Sequence, residues 1–309
     1  MSFSRRSLLA GLAATPVLKG ASPAAAPVRR AANPDGKLNL IEIVVDTWSA
    51  HYIGCYGCGN IETPNLDLLA ARSNVFLDAH PEIIPTVPIR RVLYTGRRAF
   101  PGDLVQQFDD PAKFRGWHPL WAEDVTLSET LRDAEYKTAI IADTHHLWKP
   151  GKNFSRGFDC LHWIRGQEDD HVKTGHVQEI DITNWVHPSQ LNQTNMGMLA
   201  FMKRYLASRF TWQTEDDWPT ARLFEDAKAW IDDNIEGPQA FYLHIECYSP
   251  HEFWDPPEDY YRLHMKSDYS GPRLIQSPVS TRVLTPVELE HVRSLYRGLV
   301  SFVDARIGR

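Results

Sequence analysis

The sequence predicts an α/β domain with a mainly parallel central sheet flanked by helices. Short apolar, β-branched runs occupy 38–45, 138–142 and 239–246, as buried parallel strands require. Helical patterns lie between them, the alternation that builds a parallel sheet. The runs give way to polar residues: Asp46, Asp143 and the segment 247–255. In such sheets ligands sit beyond the carboxyl ends of the strands, so a functional site is expected at that edge.

Taken in order, residues 1–26 read as an export address rather than structure. Arg5 and Arg6 precede a short, interrupted apolar run and the small residues Ala24-Ala25-Ala26, the twin-arginine layout of a bacterial signal peptide. That implies a periplasmic or secreted protein without stable membrane insertion after processing. Residues 27–37 are a linker. After the first strand comes a Gly-rich loop (Gly54, Gly57, Gly59). Thr63-Pro64 then opens a helix to about Arg72, with Thr as N-cap and Pro at the first helical position. A further helix is expected from near Pro88 to Gly96, and another over 127–134, ahead of the second strand. Residues 150–190 are polar, rich in His and Trp, and read as irregular. Helices follow at 194–208 and 218–235. After the third strand, 286–306 is a long amphipathic helix with Leu289, Val292, Leu295, Leu299 and Val303 on one stripe, a stripe suited to packing on a sheet.

Composition narrows the function classes. The net charge of −6 offers no broad basic field, which argues against nucleic-acid binding. No later run has the roughly 18 apolar residues of a membrane span. The four cysteines, Cys55, Cys58, Cys160 and Cys247, allow three complete pairings, and spacing does not choose among them. Cys55 and Cys58 have redox-motif spacing, but no thioredoxin-like pattern surrounds them.

The chemistry concentrates at 86–97, Thr-Val-Pro-Ile-Arg-Arg-Val-Leu-Tyr-Thr-Gly-Arg. A hydroxyl at Thr86, beside a helix N-terminus, faces the positive end of the helix dipole, which favours a bound anion. Arg90, one turn on, can fork onto an oxyanion. A capping Thr beside a solvated Arg would read the same way from these residues alone.

This segment resembles the sulfatase signature of the alkaline phosphatase superfamily, Cys/Ser-x-Pro-x-Arg followed by Thr-Gly-Arg. Pro88, Arg90, Thr95, Gly96 and Arg97 are in register. The stretches 43–57, 63–67, 151–168 and 249–257 resemble further sulfatase blocks, in order, so the likeness runs over about 38–309. It implies an alkaline-phosphatase-like sulfatase fold and a metal-dependent hydrolase of sulfate esters, or of related phosphate and phosphonate esters, carried on small molecules or glycans. Asp46 and Thr86 become metal ligands, with Ca²⁺ the expected cation and Mg²⁺, Mn²⁺ or Zn²⁺ alternatives. Thr86 would be the activated hydroxyl, Arg90 the charge stabiliser, and His251 and His146 the groups near the leaving oxygen. Lys149 and Lys152 are expected as solvated loop lysines. Glu246 and Asp255 are expected to order the loop carrying His251, and Trp148, Trp163 and Trp254 to pack in the core.

Three departures qualify this. Thr86 stands where sulfatases carry the Cys or Ser that becomes formylglycine, and threonine cannot yield that aldehyde. Asp46 is followed by Thr47 rather than a second Asp, which is closer to the phosphonate and phosphate ester branch. The family's second ligand pair, in an Asp-His/Asn-Gly motif, is expected after the helix at 286–306, whereas Arg309 is the last residue. The chain as it stands is therefore expected to bind metal poorly. An inactive, anion-binding relative, or a fragment of a longer sulfatase, is the competing reading.

Overall fold

The computed structural model describes residues 36–309 except 99–115, 150, 192–195, 267–268, 277 and 279. The export segment at 1–26 lies outside the described residues. Four parallel strands form the sheet in the order β1-β4-β2-β3: β1 (Leu40–Val45), β2 (Lys137–Ala142), β3 (Cys160–Trp163) and β4 (Phe241–Cys247). Around it lie α1 (Pro64–Ala70), α2 (Thr86–Thr95), α3 (Leu127–Asp133), α4 (Pro188–Leu191), α5 (Met196–Arg209), α6 (Pro219–Asn234), α7 (Glu258–His264) and α8 (Pro286–Ile307).

Side-chain alternation divides the sheet into two faces. The odd-numbered Ala139, Ile141, Phe241, Leu243 and Ile245 pack against Leu223, Phe224, Ala227 and Trp230 of α6. The even-numbered Ile140, Ala142 and Tyr242 pack with Val87 and Tyr94 of α2, and with Leu120, Phe154 and Phe158. Ile140 and Ile141 are fully buried on opposite faces, each contributing about 1.5–3 kcal/mol. The result is a sheet between helical layers, as alternating elements demand. Among the described residues, no helix is long and apolar enough to cross a membrane.

Several local expectations change. The region 150–190 holds β3, a four-residue edge strand too short to show periodicity. The signature helix begins at Thr86 rather than Pro88, with Pro85 before it. Pro88 is tolerated there because the first helical N–H groups have no carbonyl partner within the helix. Thr63 does not cap α1 by a side-chain bond. Its Oγ1 accepts from the Gly54 N–H at 2.8 Å and donates to Asp67 at 3.3 Å. Asp304 of α8 takes over, accepting from Asn65 N at 3.2 Å and Leu66 N at 2.9 Å. The apolar stripe of α8 meets mainly helices. Leu299 and neighbouring Phe302 pack with Trp218 and Ala221, Leu295 joins the α5 cluster, and Val303 reaches the sheet core. All four cysteines are free thiols.

Candidate active site at the carboxyl edge of the sheet

Strand register brings the predicted residues together. Val45 pairs with Cys247, and Ala142 with Glu246, so Asp46, Asp143 and the segment after β4 leave the sheet at one edge. The Asp46 N–H extends the ladder to the Cys247 carbonyl at 2.9 Å, and the Asp143 N–H to that of Glu246 at 3.1 Å. Helix α2 points its first turn at the same edge. Thr86 Oγ1 donates to Asp46 Oδ2 at 3.2 Å, and Arg90 Nη2 donates to the same oxygen at 3.2 Å. Thr86, Arg90 and Asp46 are all buried.

Arg90 is held from behind. Its Nε donates to Glu246 Oε1 at 2.7 Å, and its Nη2 contacts the same oxygen. Glu246 also meets His244 Nε2 at 3.2 Å, and His244 Nδ1 meets Glu42 at 3.0 Å. This chain of charges runs along the even-numbered face of the sheet. Burial alone would neutralise these groups, but their mutual pairing prevails. Glu246 is held below the ordinary carboxylate range, against burial, chiefly by Arg90 and His244. His244 is raised, against burial, by Glu246 and Glu42. Glu246 therefore orders Arg90 rather than the loop carrying His251. The signal for this network was in the sequence: Glu42, His244 and Glu246 interrupt otherwise apolar strands at same-face spacing.

Asp143 is fully buried, accepting from Tyr248 N at 2.6 Å and Gln167 Nε2 at 2.9 Å. Burial pushes it up to about 7, against those hydrogen bonds. His251 stacks on Tyr248 with centroids 4.4 Å apart. Its Nδ1 donates to the Glu252 carbonyl at 2.9 Å, which leaves Nε2 as the nitrogen for proton exchange. His146 turns its Nε2 to Glu168 at 3.0 Å. Tyr248 lies within the electrostatic reach of both Glu168 and Asp46, linking the two groups.

Lys152 is not a solvated loop group: it is buried and contacts the Trp117 carbonyl. Lys149 is partly exposed and pairs with Asp170 at 3.2 Å. Asp255 is a structural anchor for Arg209 at 2.5 Å and Arg273 at 3.0 Å. Trp148 stacks with Trp163 at 5.8 Å and packs on the core, and Trp254 packs among the α5 and α8 clusters.

A hard divalent cation takes about six oxygens. Here Asp46 and Thr86 offer three, of which Asp46 Oδ2 already accepts from Arg90 and Thr86. The described residues at this corner do not make a cation site by themselves. They place a hydroxyl and a guanidinium at the start of a ten-residue helix, the positive end of its dipole.

These residues sit at the carboxyl edge of a parallel sheet between helical layers, the place where α/β proteins carry their sites. The sulfatase family model matches residues 39–309, and the chain belongs to that family. It is 22% identical to the arylsulfatase of Clostridium perfringens over 293 residues, 88% of this chain and 58% of that protein. It is 36% identical to human arylsulfatase A over 112 residues, 35% of this chain and 20% of that one. The phosphonate monoester hydrolase of Agrobacterium radiobacter superposes with a TM-score of 0.60 at 17% identity, covering 88% of this chain and 58% of that structure. A protein solved with its substrate D-glucosamine-2-N,6-O-disulfate superposes with a TM-score of 0.54 at 16% identity, covering 88% and 61%. The chain thus spans a little over half the length of the Clostridium perfringens arylsulfatase.

Proposed function

We propose that this chain carries the ester-cleaving site of a hydrolase acting on sulfate esters or on phosphate and phosphonate esters. The observation that carries the proposal is the convergence of Thr86, Arg90 and Asp46 on one oxygen at 3.2 Å. The Thr86 hydroxyl attacks the sulfur or phosphorus, and its proton passes to Asp46. The ester bond to the alcohol breaks as the new bond to Thr86 forms. Arg90, fixed by Glu246, balances the charge on the equatorial oxygens. His251 gives a proton through Nε2 to the leaving alcohol; water, giving its proton to His251, then displaces the sulfur or phosphorus group from Thr86, whose oxygen takes back the proton held by Asp46. A divalent cation, general in the family, would supply further neutralisation, and its affinity for these residues alone is low. Sulfated sugars are one substrate class, as in the neighbour solved with a sulfated glucosamine. Twin-arginine export to the periplasm is part of the proposal and rests on Arg5 and Arg6.

Thr86 in place of Cys or Ser favours a second reading as an anion-binding relative without turnover. The test is a hydrolysis screen on an aryl sulfate, a phosphate diester and a phosphonate monoester, with Ca²⁺, Mg²⁺, Mn²⁺ and Zn²⁺, using the product of the complete reading frame. Turnover lost in Thr86→Ala supports the hydrolase. Sulfate or phosphate binding that Arg90→Gln weakens, without turnover, supports the binder. Neither activity would overturn both.

A further inference from the structure

A second cluster at the carboxyl edge of the sheet has different chemistry. His145 and His146 follow β2 in a short turn of 3₁₀ helix, and Glu168 follows β3. One donor atom from each residue lies within 4.8 Å of the others, the only such group of three or more among the described residues. Glu168 Oε2 is 3.0 Å from His146 Nε2 and 3.6 Å from His145 Nε2. Donors about 2.0–2.1 Å from a tetrahedral metal stand roughly 3.3 Å apart, the middle of that pair of distances.

His145 supplies an independent observation. The residue is 6% exposed, and its Nδ1 is buried without a hydrogen-bond partner. Its Nε2 stands 3.6 Å from Glu168, beyond hydrogen-bond length. Burial of Nδ1 without a partner is costly, and Nε2, the nitrogen turned toward Glu168, is not hydrogen-bonded to it. Surrounding groups fix the donors: the Trp117 ring meets the His146 ring edge-on at 4.9 Å, and Tyr248 lies against Glu168. Glu168 also holds a left-handed backbone, φ 41°, which is rare for a residue with a side chain.

We propose that His145, His146 and Glu168 form a binding site for a zinc-class divalent transition metal, separate from the hard-cation position at Asp46. Two imidazoles and one carboxylate select zinc over calcium or magnesium, which take oxygen ligands. Three protein donors leave a fourth position for water or an anion. His146 and Glu168 are each about one-fifth exposed, so that position is reachable from solvent. The proposal does not depend on the ester-hydrolase reading, because metal affinity reports on it directly.

The test is calorimetric titration of the protein with Zn²⁺ and with Ca²⁺, in a Cys55→Ser, Cys58→Ser background that removes the thiol pair as a rival site. The expected result is one Zn²⁺ per chain, without comparable Ca²⁺ affinity. His146→Ala and Glu168→Gln should each weaken zinc by more than about 100-fold, while Asp46→Asn leaves it within about threefold. Co²⁺ provides a second measurement, since its visible absorption reports tetrahedral nitrogen and oxygen ligation. Circular dichroism establishes that each variant is folded. If one variant is unfolded, the other decides. Absence of stoichiometric zinc binding would overturn the proposal. So would binding that survives both cluster substitutions, or that Asp46→Asn alone abolishes.

Discussion

Replacing Glu246 by Gln should be among the most damaging single changes of a polar residue in the chain. Gln has the same shape, so no cavity forms and the effect is electrostatic. Glu246 is wholly buried and accepts from Arg90 Nε at 2.7 Å, while Arg90 is 6% exposed at its side chain. The substitution leaves Arg90 with Asp46 as its single anionic partner and removes the Glu246 carboxylate from His244. Breaking a buried, hydrogen-bonded ion pair by removing one partner costs about 3–5 kcal/mol. Against a typical stability of about 5–15 kcal/mol that is a large fraction. For a domain of this size it corresponds to a fall in Tm of roughly 6–20 °C. Urea denaturation and thermal melts followed by circular dichroism measure it. The exposed pair Lys228–Asp232, 2.6 Å apart, is the control: Asp232→Asn should cost under about 0.5 kcal/mol. A loss below about 1 kcal/mol for Glu246→Gln would refute the reasoning, because Arg90 would then be either uncharged or solvated.

Further predictions concern pH, backbone and export. His244 is raised above its ordinary value of 6.5, so the stability it contributes is complete below that pH and is lost as pH rises through the higher folded value. Urea midpoints across that window should fall, and the fall should shrink in Glu246→Gln. Gly157, at φ +78°, has no room for a side chain, since an added Cβ would lie 2.3 Å from the Glu129 backbone nitrogen. Gly157→Ala should therefore cost roughly 3 kcal/mol or more, measured by denaturation, and a neutral outcome would contradict the packing of α3 on the loop before β3. Lys at both Arg5 and Arg6 should leave the protein unprocessed in the cytoplasm, and normal periplasmic fractionation would exclude the twin-arginine route.

Three of the four strands, most of the helices and the sheet-edge position of the candidate site were legible because they rest on periodicity and on polar residues following apolar runs. Asp46, Thr86 and Arg90 were found through motif spacing, and the structure places them in mutual contact. What local pattern could not show were pairings between distant elements. Asp304 satisfies the start of α1 from 238 residues away, so the Thr63 hydroxyl is free to brace the Gly-rich loop instead. Glu168 lies in a polar stretch that resembles any loop, and its meeting with His145 and His146 depends on β2 and β3 being neighbours. β3 itself is four residues long and partly exposed, which leaves little hydrophobic pattern to read.

The account turns on the Thr86 hydroxyl as the attacking group. The most direct measurement is kcat for Thr86→Ala and Thr86→Ser beside the parent protein, on whichever ester the screen identifies. The hydroxyl's position, 3.2 Å from Asp46, predicts that Ala lowers kcat by at least about 10³-fold while Ser retains turnover. Turnover by Thr86→Ala within about tenfold of the parent would contradict the account, because the ester would then be cleaved without that oxygen.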